Sequence, residues 1–203
     1  MKQLIERLIE KQVSAGSIGK EEEEIYRYGY MILFEWGFNL MLAGVIGMLT
    51  GGMQTTIIFL ISVIPLRSFA GGYHASTPLR CAVISNAALV LVIGLSEWLA
   101  AMHPPLGMFF LCELVLAGYY VCRVPVDSLQ KPLSDRERQV YALYAKAFYA
   151  VEVLAMAILC AAGREKNGIT IMLVHILVVL SLLSARIQQI KQGKVKEKLL
   201  KVD

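Results

Sequence analysis

The sequence predicts an all-α, polytopic integral membrane protein with about six transmembrane helices, on two observations. The first is composition: of 203 residues, 57% are hydrophobic and only 18% are charged, against about half and about a quarter in soluble domains. The second is clustering, because the stretches 82–97, 106–111 and 169–185 each contain at most one ionisable side chain. Such uninterrupted apolar runs are typical of helices in the hydrocarbon core of a bilayer.

Six apolar segments are predicted to cross the membrane: 28–50, 54–70, 81–102, 106–122, 147–162 and 169–185. With six crossings, both termini lie on one side, and only Arg164 and Lys166 among the lysines and arginines lie on the other. The positive-inside rule therefore predicts cytoplasmic termini. We expect one membrane domain, 1–203, with an amphipathic cytoplasmic segment at 1–26, a transmembrane bundle at 27–186 and a basic cytoplasmic tail at 187–203.

The amino-terminal stretch has the pattern of an amphipathic helix, with Leu4, Ile5, Leu8 and Ile9 at helical spacing. This helix either lies on the membrane surface or packs against the protein's own cytoplasmic segments. The four consecutive glutamates at 21–24 suit the first turn of the helix that becomes the first crossing, because a helix start favours negative charge. The basic tail is expected to rest on anionic lipid.

The second apolar segment is short for a membrane crossing. Residues 54–66 span about 20 Å as a helix, against a hydrocarbon core of about 30 Å. We therefore expect the helix to continue through Arg67 to Phe69, which places the following motif at the membrane boundary. Thr77 followed by Pro78 predicts an N-cap and first helical position, so that Cys81 lies in the first turn of the third crossing.

His74 and Cys81 are the residues in this region with the side chains for nucleophilic catalysis. On a single helix, seven residues would separate them by about 10 Å, too far for proton transfer. Pro78 argues against such a helix, and the pair Gly71-Gly72 allows the chain to turn and bring the imidazole to the sulfur.

The start of a helix and the adjacent Arg80 both favour a thiolate at Cys81. Backbone N–H groups at this helix start are also the natural donors to an oxyanion. The alternative is a plain Gly-Gly turn with an interfacial histidine and a cysteine that only packs.

No metal site, cofactor or nucleic-acid partner is expected. Cys81 and His74 supply two of the four ligands of a structural zinc, and neither His103 nor His175 lies at a ligand spacing from them. The net charge of +4 is small, and the chain has no dense basic tract interleaved with aromatic residues.

The motif resembles the accessory gene regulator B (AgrB) family of bacterial membrane peptidases. The resemblance depends on Arg67, the run Ala-Gly-Gly-Tyr-His-Ala at 70–75, and Cys81 seven positions after the histidine. A length near 200 residues, several crossings and a basic loop at 124–132 that contains prolines extend it over nearly the whole chain. A single Lys131 stands before Pro132, where some relatives have a run of lysines.

The resemblance implies a multi-pass endopeptidase of the bacterial cytoplasmic membrane. It would cleave an AgrD-type precursor peptide and help close its ring into a cyclic autoinducer for quorum sensing. By residue matching, Cys81 takes the place of the nucleophile and His74 that of the base. Arg67, Gly71 and Gly72 take the places of supporting motif residues.

The expected mechanism proceeds through a thioester between Cys81 and the precursor. A cysteine or serine of the precursor then attacks the thioester and releases a thiolactone or lactone. Lys131, Arg136 and Arg138 either attract an acidic tail of the precursor or only reflect the positive-inside bias.

Several polar side chains lie inside predicted crossings: Glu35, Asn86, Glu113 and Glu152. Glu35 and Asn86 are nearer the cytoplasmic end, where they either orient His74 or join helices. The three glutamates also suit a competing interpretation, a small peptide or solute transporter or membrane scaffold without covalent catalysis. Recurring small residues in the crossings allow close helix packing and a homodimer.

Overall fold

A computed structural model of the chain describes residues 2–72, 77–126 and 133–199. Every regular element in these ranges is helical. The helices are α1 (Lys2–Ser14), a short 3-10 turn (Lys20–Glu22), α2 (Glu23–Leu49), α3 (Met53–Ala70), α4 (Pro78–Ala101), α5 (Leu106–Arg123), α6 (Asp135–Ala161) and α7 (Glu165–Leu199). The six helices α2 to α7 are long and apolar enough to cross a membrane. The predicted all-α, multi-pass architecture is confirmed.

The chain divides into two compact units, Met1–Val45 and Ile46–Asp203. Within the first unit, α1 is joined to the start of α2 by polar contacts. The Arg27 guanidinium donates two hydrogen bonds to the Glu6 carboxylate, at 2.9 and 3.0 Å, and the side chains of Gln12 and Tyr30 hydrogen-bond at 2.6 to 2.8 Å. On the apolar side of α1, Ile5 and Ile9 are buried, whereas Leu4 is exposed.

The helices α6 and α7 extend furthest beyond the predicted crossings. α6 begins at Asp135 rather than at 147, because Ser134 and Glu137 form a capping box that starts the helix in a polar segment. α7 continues to Leu199, past the predicted end at 185. Hydropathy detects only the apolar part of such a helix, whereas its polar ends depend on capping and helix propensity.

The second crossing has the predicted extension. α3 contains 18 residues and ends at Ala70, which gives a length of about 27 Å. Arg67 therefore lies in the last turn of a helix that nearly spans a bilayer core. The connection that follows begins with the Gly71-Gly72 pair at the end of this helix.

α7 is the central helix of the second unit and packs against α3, α4, α5 and α6. All residues of α7 from 167 to 175 are buried, as expected of a helix that is apolar on every side. The outer helices expose large apolar side chains instead, among them Leu91, Leu114, Leu154 and Ile158. This is the pattern of a bundle surrounded by lipid.

The connections after α3 and α5 meet at one point. Gly71 and Val126 form an isolated parallel bridge, and the Val126 N–H donates to the Ala70 carbonyl at 3.0 Å. Val124 and Val126 are both buried. The start of the glycine motif is therefore held against the chain that leaves α5.

We expect the turn between α6 and α7 to lie outside the cell and the start of α6 to lie inside. In a variant whose four native cysteines are changed to alanine, Arg164→Cys should react with a membrane-impermeant maleimide in intact cells. Arg136→Cys should react only after permeabilisation, because the positive-inside rule places it on the cytoplasmic face. The reverse labelling pattern would overturn the predicted orientation.

Candidate functional site

Cys81 lies in the first turn of α4, at the predicted helix start. Thr77 is the N-cap residue, with Pro78 at the first helical position. The Thr77 side-chain oxygen accepts a hydrogen bond from the Arg80 N–H at 3.3 Å, and its carbonyl accepts one from the Cys81 N–H at 3.1 Å. The cysteine is a free thiol and is half-buried.

These hydrogen bonds change the expectation for oxyanion donors. The N–H groups of Arg80 and Cys81 both donate to Thr77, so the helix start does not aim these two amides at a bound carbonyl group. The sequence indicated such donors because the first N–H groups of a helix lack intrahelical partners. Here the Thr77 side chain accepts the hydrogen bond of the Arg80 N–H, and the Thr77 carbonyl accepts that of the Cys81 N–H.

The two glycines of the motif are required by close contacts. Gly71 has φ +82°, and a Cβ at this position would lie 2.2 Å from the Val126 carbonyl oxygen. Gly72 has φ +141°, and its Cβ would lie 2.9 Å from the Ser181 hydroxyl oxygen. Since positive φ is strained for residues with a side chain, both positions exclude a larger residue by backbone conformation and by space.

The Arg67 guanidinium places a positive charge next to Gly72. Its side chain is half-buried, and two guanidinium nitrogens lie 3.5 and 3.6 Å from the position of a Cβ on Gly72. Arg67 is also close enough to Cys81 for the two groups to interact electrostatically. The structure therefore places Arg67 from α3 and Ser181 from α7 at Gly72, with Cys81 of α4 within electrostatic range of Arg67.

His74 and Lys131 lie outside the described residues, so their expected roles stay predictions. Arg136 and Arg138 lie in the first turn of α6, and both are exposed. Their exposure allows contact with a partner.

The two residues expected to orient His74 have different surroundings. Asn86 is buried on α4, five residues beyond Cys81, and its side-chain amide donates to the Ala82 carbonyl at 2.8 Å. Glu35 belongs to the first unit, where its backbone carbonyl accepts a hydrogen bond from the Asn39 side chain at 2.9 Å. The orienting role of both residues remains a prediction.

A buried polar network joins α5, α6 and α7, and the sequence analysis missed it. His175 Nδ1 lies 2.9 and 3.0 Å from the two carboxylate oxygens of Glu113, and Nε2 lies 3.1 Å from Glu152 Oε2. The Tyr149 hydroxyl donates to Glu113 Oε2 at 2.7 Å. The sequence indicates Glu113 and Glu152 as polar groups within crossings that suit a transporter, and His175 only as a metal ligand at the wrong spacing, but it does not pair the three residues.

This network could have been found from the sequence by comparing how deep each polar residue lies within its predicted crossing. Glu113 lies seven residues after the start of α5, Glu152 nine residues before the end of α6, and His175 ten residues after the start of α7. These three helix ends face the same side of the bundle in a six-crossing topology. The three side chains therefore lie at similar depth, although they are far apart in sequence. Within the described ranges, no cluster of three or more His, Cys, Asp or Glu residues is arranged to hold a metal ion.

The chain resembles known proteins along most of its length. A family profile described as accessory gene regulator B matches residues 1–189. Two curated relatives of Clostridium perfringens carry AgrB-like names: AgrB-like protein 2 of strain 13 is 25% identical over 141 residues, and an AgrB-like protein of strain SM101 is 24% identical over 141 residues. Each alignment covers 66% of this chain and 65% of the relative. No solved structure matches the chain.

We expect Gly71→Ala to destabilise the junction between the two connections. The added Cβ would overlap the Val126 carbonyl oxygen, and a positive φ costs a residue with a side chain at least about 1 kcal/mol. The melting temperature of the purified protein in lipid nanodiscs should fall.

Gly118→Ala is the matched control, because a Cβ on Gly118 meets no atom within 4 Å and alanine favours a helix by about 1 kcal/mol. Equal melting temperatures for Gly71→Ala and Gly118→Ala would contradict the steric role of Gly71.

Proposed function

This chain belongs to the accessory gene regulator B family, and on that premise we propose that it is a membrane-embedded cysteine endopeptidase. Its substrate is an AgrD-type precursor peptide, which it cleaves and helps to close into a thiolactone or lactone autoinducer for quorum sensing in a bacterial cell membrane. The observation that carries the proposal is the position of Cys81, half-buried in the first turn of α4 and within electrostatic range of the Arg67 guanidinium.

Cys81 is proposed as the nucleophile because it lies at the start of a helix and within electrostatic range of a cation. The start of a helix has a partial positive charge, and a nearby cation further stabilises a negatively charged sulfur. Arg67 supplies this cation from α3. Cys112, Cys122 and Cys160 lie inside or at the end of α5 and α6 instead.

His74 is proposed as the general base, seven positions before Cys81 in the sequence. It takes the thiol proton, and the thiolate attacks a carbonyl carbon of the precursor. The imidazolium then returns the proton to the leaving amine as the peptide bond breaks. The product is a thioester between Cys81 and the amino-terminal fragment of the precursor.

Arg67 has a second proposed role in the tetrahedral intermediate. The Arg67 guanidinium is a charged donor near the end of α3, within electrostatic range of Cys81. A preorganised charged donor in a site with little water stabilises an oxyanion more than it does in water. Gly72 supports this role because a side chain there would meet the guanidinium.

Cyclisation follows from the location of the site at the end of α3, near the membrane boundary. Limited access of water slows hydrolysis of the thioester. A cysteine or serine side chain of the same precursor can then attack the thioester carbonyl, which releases the ring and regenerates the Cys81 thiol. The atoms balance without a cofactor, because one acyl group passes from nitrogen to sulfur and then to the precursor's own nucleophile.

We expect Cys81→Ala to abolish processing, because no other described cysteine lies at the glycine motif. Wild type and variant in lipid nanodiscs are incubated with the small precursor peptide encoded beside the protein, and mass spectrometry measures the products. Wild type should yield the cleaved fragment and an adduct on Cys81, and the variant neither. Cys122→Ala is the control, because this thiol is free, exposed and in the last turn of α5.

The competing interpretation, a transporter or scaffold without covalent catalysis, predicts a different result in this experiment. Wild type and Cys81→Ala would bind the precursor equally and leave it intact. That outcome would overturn the peptidase proposal. Loss of processing in both cysteine variants would indicate misfolding, and their melting temperatures would separate this case from a loss of the nucleophile.

We expect the exposed arginines at the start of α6 to attract an acidic tail of the precursor. The double variant Arg136→Gln/Arg138→Gln should raise the apparent KM several-fold at low salt and less at high salt, because salt screens exposed charges over about 10 Å. Arg164→Gln, exposed between α6 and α7, is the matched control. A KM that is independent of salt in the wild type would contradict this steering role.

A further inference from the structure

The search for a second site leads to the network of Glu113, His175, Glu152 and Tyr149, which the proposed chemistry at Cys81 does not use. His175 is fully buried, and both glutamates are buried as well. Ionisable side chains inside a membrane bundle are costly to bury, so their presence in three helices requires an explanation. The contacts among His175, Glu113 and Glu152 fix how many protons these three groups share.

Each contact of the imidazole with a carboxylate needs one hydrogen atom between the two heavy atoms. His175 makes such a contact on both sides, with Glu113 and with Glu152. The three groups therefore share two protons: either an imidazolium lies between two carboxylates, or a neutral imidazole lies between one carboxylate and one carboxylic acid. Both arrangements have a net charge of −1.

The surrounding helices do not neutralise this charge. The charged groups that act on His175 are Glu113 and Glu152, and those that act on Glu152 are His175 and Glu113. From α3 the polar neighbour is Ser62, which hydrogen-bonds to Glu152, and α4 has no ionisable residue from 82 to 96.

The tyrosines from α5 and α6 complete the surroundings. Tyr149 donates to Glu113, and the Tyr120 ring stacks on the Tyr149 ring at 4.2 Å and meets the His175 ring edge-on at 6.5 Å. The Tyr120 hydroxyl is buried and has no hydrogen-bond partner among the described residues. The network thus combines a net negative charge with an unused polar group, and no described lysine or arginine acts on His175 or Glu152.

We propose that Glu113, His175 and Glu152 form a proton-binding site inside the second unit, which takes up and releases a third proton. With two protons the site is anionic, with an imidazolium between two carboxylates, and with three it is neutral, with an imidazolium between one carboxylate and one carboxylic acid. The third proton comes from water and returns to it. A neutral site is favoured in a low-dielectric interior, whereas the Tyr149 and Ser62 hydrogen bonds favour the anionic form. These opposing effects allow exchange at physiological pH.

The position of this site connects it to the glycine motif. His175 lies six residues before Ser181 on α7, which corresponds to about 9 Å along the helix. Ser181 contacts the motif at Gly72. A change in the packing of α5, α6 and α7 on proton uptake would therefore reach the motif through a single rigid element.

Infrared difference spectroscopy of the full chain in lipid nanodiscs, between about pH 6 and pH 8, tests the site directly. Exposed carboxylates stay almost fully ionised over this range, and histidines have no carbonyl group. Acidification should therefore produce the carbonyl stretch of a buried carboxylic acid, with an amplitude of one proton per chain. Glu113→Gln and Glu152→Gln should each remove or shift this band. Glu97→Gln, whose exposed carboxylate pairs with Lys166 near the end of α4, should leave it unchanged.

Tyr149→Phe gives a second measurement that does not remove a titrating group. It deletes the hydrogen bond to Glu113, so the site should hold its third proton to a higher pH. A wild-type spectrum without a carboxylic acid band over the whole pH range would overturn the proposal and identify the network as a structural clamp. A band that persists unchanged in both glutamine variants would overturn it as well. Neither result depends on whether the chain cleaves a peptide.

Discussion

The burial of α7 among four other helices is the constraint on which the second unit depends. Inside a bilayer, each polar side chain of a helix must find its hydrogen-bond partners within the protein, because lipid offers none. Thr170 finds its partner on α7 itself, where its hydroxyl donates to the Lys166 carbonyl. His175 needs partners from two other helices, and Glu113 and Glu152 supply them. The central position of α7 therefore requires the two glutamates as partners of His175, and the glutamates in turn need α7 between their helices.

At one end of the same unit, the glycine motif allows three segments of the chain to pack closely together. Three pieces of chain approach it: the connection after α5 through Val126, α7 through Ser181, and α3 through Arg67. Without side chains, Gly71 and Gly72 let these pieces come together. The two glycines belong to the run that resembles a family signature, and the structure shows the close contacts that require them.

The two sites differ in their access to solvent. The cysteine is half-buried in the first turn of α4. The Glu113–His175–Glu152 network is enclosed, so it suits a proton better than a larger ligand. α7 contains His175 and also contacts the glycine motif through Ser181, so the proposed peptidase reaction and the proposed proton exchange would share this helix.

The sequence by itself determined the properties that depend on neighbours along the chain. The apolar runs predicted six crossings, the Thr77-Pro78 pair predicted the start of α4, and the short second segment predicted a helix through Arg67 to Phe69. The family resemblance arose from the same contiguous motif. Local hydropathy and capping chemistry are sufficient for such features, because they require no contact between distant residues.

Only the tertiary structure decided which distant side chains meet. The contact of Gly71 with Val126 and the pairing of His175 with two glutamates join residues that are tens of positions apart. A single polar residue hardly changes the mean hydropathy of an apolar helix. The direction in which its side chain points, and its depth in the membrane, depend on how the helices pack. The polar start of α6 and the long end of α7 were missed because helices continue beyond the apolar stretch that a bilayer requires.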